Sequence, residues 1–473
     1  MTKSAMFAVG LFVVAQSSAD AQQLPPVRQI APAATVTSEK LGAVSTIRPL
    51  SDGRLLVNDI IGRRVLLFDS ALKSFTVVAD TTSATGNAYG ARAGGLIAYR
   101  GDSTLFVDPA SLSMLVIDPS GKIARVMSTP RANDASFLIG GPFGTPGFDP
   151  QGRLVYRAPP RISFAGGPRG APGGTRMEFT PPVIPDSAAL VRVDLTTRKL
   201  DTLAFFRTPK VQMNVSRSAE GRMTVLPTIN PLPVIDDWGI LPDGTVALVR
   251  GKDYHIDWIT PEKTITSTGK IPFEWERLSD EAKAAYIDST RKVFEEARAR
   301  GDVAGMFGGA LGGAPIIRMG APGAPASGAA APGATGGATA TTPPSGAAGS
   351  NTTTTTGPAG TSTTVTTTVG SGGNPLGGQL PQMSFVDPSE LPDYKPPFGG
   401  GATRVDSEGN LWIRTTQNLN GMPVYNVVNR RGELIDRVQL PAGRVIAGFG
   451  AGGVVYLAFR DGDVARLEKA KVR

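Results

Sequence analysis

The chain has no cysteine and a single histidine, His255. These two shortages exclude a good deal. There can be no disulfide, thiolate metal site, cysteine nucleophile or lipidated N-terminal cysteine. Zinc sites built from several His or Cys ligands are excluded as well. Long apolar runs are also missing beyond the first twenty or so residues. No Gly-x-Ser-x-Gly elbow, phosphate-binding loop, dinucleotide fingerprint or EF-hand spacing of aspartates occurs. Helix-forming stretches are scarce, and charged residues make up only 19% of the 473 positions.

Glycine and proline are plentiful, at 58 and 39. Such content favours many turns together with some low complexity. The net charge of +8 is modest for this length, and the arginines are scattered rather than clustered with aromatics. Nucleic acid is therefore not an expected partner.

The N-terminus reads as a secretory signal: Lys3, an apolar core AMFAVGLFVVA at 5–15, and the small-x-small triplet Ala19, Asp20, Ala21. Cleavage after Ala21 is expected. The apolar core is well short of the ~20 residues that span a bilayer. The expected product is an exported monomer, periplasmic or secreted, with no membrane span after cleavage.

A short phrase then recurs: DGRLLV at 52–57, DPQGRLVY at 149–156, PDGTVALV at 242–249 and DSEGNLWI at 406–413. Each is a tight turn followed by an apolar, β-rich run. Aspartate bonds the local backbone in such turns and glycine accepts positive φ. The run after it reads as a buried strand. Around the first copy, further strands are expected near 44–50, 64–69 and 75–80. Four short antiparallel strands in about 40 residues make one propeller blade. Six units follow, with turn glycines at 53, 101, 152, 244, 409 and 453. The fold class expected is all-β: a six-bladed β-propeller with a helical plus disordered insertion between blades four and five.

The boundaries are a signal peptide at 1–21, a lead-in at 22–41, blades one to four at 42–277, a helix at 278–301, a low-complexity tract at 302–384 and blades five and six at 385–470. The helix has Ser279 as N-cap, Asp280 and Glu281 in its first turn, and Ala282, Tyr286, Val293, Phe294 and Ala297 on one face. The tract is Gly, Ala, Pro, Ser and Thr; it cannot bury enough apolar surface to offset its ordering entropy.

The repeat resembles the six-bladed β-propeller family of NHL type, in its exported bacterial versions. The residues that carry this are GRLLVN at 53–58 with RVLLFD at 64–69, Asp243 with Gly244, and the run 406–413. The resemblance covers about 42–270 and 385–470, and is specific for a propeller rather than for a reaction.

Chemistry is expected where the second strands end. Arg157, Arg250, Arg414 and Arg460 stand five to seven places after their turn glycines, and Arg63 occupies the corresponding turn of blade one. Such a basic ring at one channel mouth, with Trp238 at the start of a first strand, suits carboxylate, phosphate or sulfate groups. The alternative is that these arginines are solvated guards of strand ends. Asn58, Asp59, Asp236 and Asp237 are oxygen ligands of the kind Ca²⁺ takes. Gluconolactonase-like propellers hold such an ion, but that resemblance is of fold alone and gives no ligand set here. His255 shares a strand face with Asp257, which suits either a general base or a structural histidine. The expected function is a binding module or scaffold for a peptide, a protein or an anionic small molecule. The rival is a lactonase- or streptogramin-lyase-like enzyme using a metal or His255. A third option is a structural platform.

Overall fold

The computed structural model describes residues 24–31, 33, 35–161, 184–217, 223–299, 352–357, 360–365, 384–462 and 464–472. The expected signal peptide and most of the 302–384 tract lie outside these residues. Within that tract, Thr352–Gly357 pairs antiparallel with Gly360–Val365.

Six sheets form the blades of a propeller, and their strands follow chain order from the centre outwards except for two N-terminal strands on the outer edges of blades five and six. The first strands are Val44–Pro49, Gly95–Ala98, Gly147–Phe148, Asp237–Ile240, Phe398–Val405 and Val445–Gly450. The six turn glycines all take positive φ: +85° at Gly53, +58° at Gly101, +74° at Gly152, +81° at Gly244, +84° at Gly409 and +74° at Gly453. An L-residue is strained there, so glycine is required. The aspartates act as expected of the repeat. Asp149 Oδ1, for instance, accepts from the amides of Gln151 and Arg153 at 3.1 and 2.9 Å.

The packing explains why the second and third strands read as unbroken apolar runs. Successive side chains point to opposite faces of a strand. Leu56 packs with Leu96, Phe106 and Leu115 of blade two, whereas Leu55 and Val57 pack with Tyr456, Ala458 and Leu467 of blade six. The same holds around the ring. Apolar wedges fill the spaces between blades two and three, three and four, four and five, and five and six. The described residues form no single central core. Each blade is stable only against its neighbours, and the ring must close.

Closure uses the segment taken as a lead-in. Thr35–Val36 pairs antiparallel with the last strand, Val464–Lys471, and supplies the fourth strand of blade six. Val27–Gln29 runs parallel to the outer strand of blade five, Leu434–Gln439. Arg28 Nε bonds Asp436 there at 2.9 Å. Both strands cover sheet edges that would otherwise present unpaired backbone.

The inserted helix spans Asp280–Ala299. The Ser279 hydroxyl accepts from the Ala282 amide at 3.2 Å, as an N-cap does. Its inner face differs from the expected one. Ile287 and Phe294 are buried, and Lys283 reaches Asp393 at 2.7 Å, but Val293 is 61% exposed. The packed stripe follows positions 283, 287, 290 and 294, close to the helical period. It lies against Leu232, Val386 and Leu391, a small cluster beside the blades. A further three-stranded sheet joins Gln212–Arg217 and Met223–Ile229, between blades three and four, to Ser384–Phe385, just before blade five.

Candidate functional site

The first strands leave a central channel. Its cavity measures about 830 Å³ and is lined by first-strand residues of all six blades, together with the turns that follow them. That size lies within the range of small-molecule sites.

One end is floored. The chain between blades two and three, residues 139–146, crosses beneath the cavity. Gly140 approaches the Thr46 side chain of blade one, and Gly144, at φ +87°, lies flat on the Trp238 indole of blade four. A Cβ on Gly144 would meet the indole at 2.5 Å. Trp238 Nε1 donates to Phe143 O at 3.1 Å, and the indole is buried. At the same end, the Thr403 amide donates to Asp237 Oδ2 at 2.7 Å, tying blade five to blade four. The cavity therefore faces the glycine turns.

Three arginines line it: Arg48, Arg100 and Arg404. Arg48 gives Nη1 to Pro49 O and Nη2 to Gly101 O, at 2.9 and 3.1 Å, and stands 4.0 Å from Asp102. Its Nε is buried without a partner. Burial lowers its pKa from the ordinary arginine value, opposed by Asp102. Arg404 spends Nη1 on the carbonyls of Gly401 and Thr403, both at 2.9 Å. Arg100 lies 5.6 Å from the ring centre of Tyr99 at the rim. Two carboxylates also touch the cavity, and both are consumed by their own turns. Asp149 is held by Arg153 at 2.7 Å, and Asp406 accepts from Asn410 Nδ2 and Trp412 Nε1 at 2.9 and 3.0 Å. The lining thus presents uncommitted guanidinium donors and no uncommitted carboxylate among its aspartates.

The residues singled out in the sequence take other positions. Arg157 and Arg250 end their second strands and Arg460 is next to last in its own, but Arg414 stands mid-strand, because that strand runs on from Leu411 to Leu419; all four lie in separate surroundings. Arg250 is clamped, with Nε on Asp257 at 2.7 Å and Nη1 on Asp236 at 2.9 Å. Arg460 bonds Gly462 O within its own hairpin at 3.3 and 3.1 Å. Arg63, at φ +49°, bonds Gly90 O at 3.1 and 2.7 Å. Arg157 and Arg414 line two recesses that share Gly400 and Gly401. Trp238 forms the channel floor.

The oxygen ligands do not gather. Asn58 bonds Ser45, Gly94 O and Tyr89 within blades one and two, at 2.9, 2.7 and 3.0 Å. Asp59 accepts three amides, from Gly42, Ala43 and Gly62, each at 3.0 Å, and pairs with Arg64 at 3.1 Å. Asp236 accepts from the amides of Arg207 and Gly251 at 3.0 and 3.2 Å besides holding Arg250. Among the described residues, no three His, Asp or Glu side chains are grouped as a metal site would need. His255 shares its face with Asp257, as alternation implies. It stands on the third strand of blade four, with Nδ1 on Asp253 at 2.7 Å and Nε2 3.3 Å from Asp257. Asp257 also accepts from Ser267 at 2.5 Å.

Arg48, Arg100 and Arg404 went unremarked in the sequence because they belong to first strands and their turns, which carry no repeated phrase. A basic residue one or two places before a turn proline or aspartate, as at Arg48 and Arg404, is too weak a signal to isolate.

No family model matches the chain, and no curated protein does either. Solved structures of similar fold include a virginiamycin B lyase from Staphylococcus aureus with quinupristin: 11% identity, TM-score 0.34, covering 93% of this chain and 98% of that one. Regucalcin, a calcium-binding protein from Agrobacterium tumefaciens, has 10% identity and a TM-score of 0.31, covering 94% of this chain and 98% of that one. A gluconolactonase from Xanthomonas campestris has 11% identity and a TM-score of 0.24, covering 53% and 91%. At these values the likeness carries neither a family nor a reaction.

Proposed function

We propose that the protein is an exported propeller of NHL type that binds an anionic ligand in its central channel. The ligand enters from the glycine-turn face, and Arg48, Arg100 and Arg404 receive its carboxylate or phosphate groups. The observation that supports this most is the imbalance of the lining: three guanidiniums reach the cavity while both of its aspartates are spent on their own turns. A guanidinium in a partly desolvated cavity gains from a charge-assisted, two-pronged bond to an oxyanion. Arg48 has most to gain, since its Nε is buried with nothing to donate to. Hydrolase or lyase chemistry finds less support, because His255 stands two strands out from the channel and both its ring nitrogens face carboxylates.

The test is a calorimetric and thermal-shift screen of the purified protein against mono- and dicarboxylates and organic phosphates. At a hundredfold excess over Kd, a ligand raises stability by about 2.7 kcal/mol. Arg48→Gln and Arg404→Gln should each weaken binding by about 10-fold or more, the usual scale for a charge-assisted bond. A screen in which no anion raises Tm, or binding that survives the double substitution unchanged, overturns the reading.

A further inference from the structure

On the far side of Trp238 from the channel stands Arg157, the last residue of the second strand of blade three. Its guanidinium carbon lies 5.1 Å from the ring centre of Phe143, 5.7 Å from that of Phe206 and 5.9 Å from that of Phe137. Its Nε is buried with no hydrogen-bond partner. No carboxylate among the described residues is placed to form an ion pair with it. Three rings offer electron-rich surfaces to the cation, but a guanidinium donates in its own plane. Arg157 as a whole is half-buried, yet its Nε–H is fully buried and meets no acceptor among the described residues. A buried donor left unpaired costs free energy and is uncommon in native structures.

A cleft of about 20 Å³ opens beside the guanidinium, bordered by Phe143, Phe206, Thr208, Asp237, Gly400 and Gly401. Asp237 is the nearest acid, but its Oδ2 is committed to the Thr403 amide at 2.7 Å. Burial also pushes its carboxyl above the usual range, against the bond from Thr403, so it is a poor standing counter-ion. The glycines on the other side lie where the sheet ladder lapses: Phe398 pairs with Thr415, and pairing resumes only at Thr403 with Ile413. Gly400 is half-buried and Gly401 buried there. Beyond this stretch lies a recess of about 330 Å³ with Arg414 and Tyr286 on its walls.

We propose that Arg157 is a carboxylate receptor, distinct from the channel site. The head group of a small organic acid enters the cleft and meets the guanidinium in its plane, while the three phenyl rings hold the guanidinium face and fix its orientation. The body of the ligand lies across Gly400 and Gly401 towards the larger recess. About 20 Å³ is room for one or two water-sized groups. A flat, two-oxygen head group fits it, and a tetrahedral phosphate does not. The inserted helix then has a role, because Tyr286 closes the recess that takes the ligand body.

The test uses the ¹⁵N-labelled full chain and the arginine Nε–Hε signals in NMR, with acetate as the probe and inorganic phosphate as the control. The Arg157 signal is assigned by its loss in Arg157→Lys, which keeps the charge. The expected result is a saturable shift of that signal with half-saturation at about 1–10 mM, the affinity range of a single charged contact. Phosphate should leave it in place. Phe206→Leu, which opens the aromatic box without touching the cation, should raise the half-saturation several-fold. Arg48→Gln with Arg404→Gln should leave the shift intact, so failure of the channel reading and failure of this one are separable. A signal that stays still in acetate, moves without saturating, or moves equally in phosphate overturns the proposal.

Discussion

The two faces of the propeller treat the same residue type in opposite ways. On the glycine-turn face, the arginines of the cavity spend some donors on backbone carbonyls and keep others uncommitted. On the opposite face, Arg250 is fixed by two carboxylates and Arg63 by a carbonyl of the next blade, whereas the buried Nε of Arg157 has no hydrogen-bond partner among the described residues. Charge alone therefore says little about binding. What matters is whether an arginine's donors are already consumed, and that depends on the strand it sits on. Second strands run between packed neighbours, where acids such as Asp257 on the adjoining strand lie within reach. First strands border an open channel, where backbone carbonyls take some of their donors and the one acid within reach, Asp102 beside Arg48, stands 4.0 Å away.

Trp238 is what keeps the two faces apart, so its removal should have the largest effect. Its indole borders both the channel and the Arg157 cleft. Trp238→Ala is expected to cost about 3–5 kcal/mol, the usual range for a buried tryptophan, and to join the two cavities. Chemical denaturation measures the first effect. The second appears as channel ligands competing with acetate for the Arg157 signal, which they should not do while the indole is in place. A stability loss under 1 kcal/mol would mean that the floor is not a packed partition.

Two aspartates of blade four sharpen the contrast through pH. Asp257 is buried. Burial alone would raise its pKa, but bonds from Ser267 and Arg250 outweigh this and hold it below the ordinary carboxylate value. Its contribution is thus fully present above about pH 4, the unfolded value, and is lost as pH falls through the lower folded value. Asp237 runs the other way, because burial raises its pKa. Its ionisation costs stability as pH rises from about 4 through the raised folded value. Asp257→Asn should lower Tm at pH 7 and flatten the acid limb below pH 4. Asp237→Asn, whose amide oxygen can still accept from Thr403, should raise Tm at pH 7 and match the wild type below pH 4. Tm measured from pH 3 to 8 tests both. The same sign of change in the two variants at pH 7 would break the contrast.

How much of this could be read in the sequence follows from what repeats. The Asp-Gly turns carry a conformational demand, positive φ, that only certain residues meet, so the six turns and the blades hung on them were legible. The closing strand was not. Thr35–Val36 is two residues long in a Pro- and Ala-rich stretch, and nothing local distinguishes it from a loop. Its place is fixed by the edge it meets 430 residues away, where the Leu467 amide bonds the Thr37 hydroxyl at 3.1 Å. The site divided in the same way. Strand alternation placed His255 with Asp257, but periodicity does not tell which arginines find acids across a strand. It likewise could not show that residues 139–146 would turn under the channel, since that path depends on Gly144 meeting Trp238 across the ring.

The smallest effect is expected at Arg460, and it tests the comparison from the side where nothing should happen. By sequence position Arg460 belongs with Arg157 and Arg250. Among the described residues, however, its guanidinium bonds only the Gly462 carbonyl of its own exposed hairpin. Bonds of this kind between solvated groups contribute little, because water replaces them at nearly equal free energy. Arg460→Ala should therefore change stability by less than about 0.5 kcal/mol, and it should alter neither the acetate response of Arg157 nor channel binding. Arg250→Ala leaves Asp236 and Asp257 without their shared cation and should cost about 1–3 kcal/mol. The difference between these two substitutions, read in one denaturation series, isolates what engagement by acids contributes at the same strand end. If Arg460→Ala proved as costly as Arg250→Ala, or weakened anion binding, strand-end position would matter more than partnership, and the ring of arginines would have to be treated as one unit.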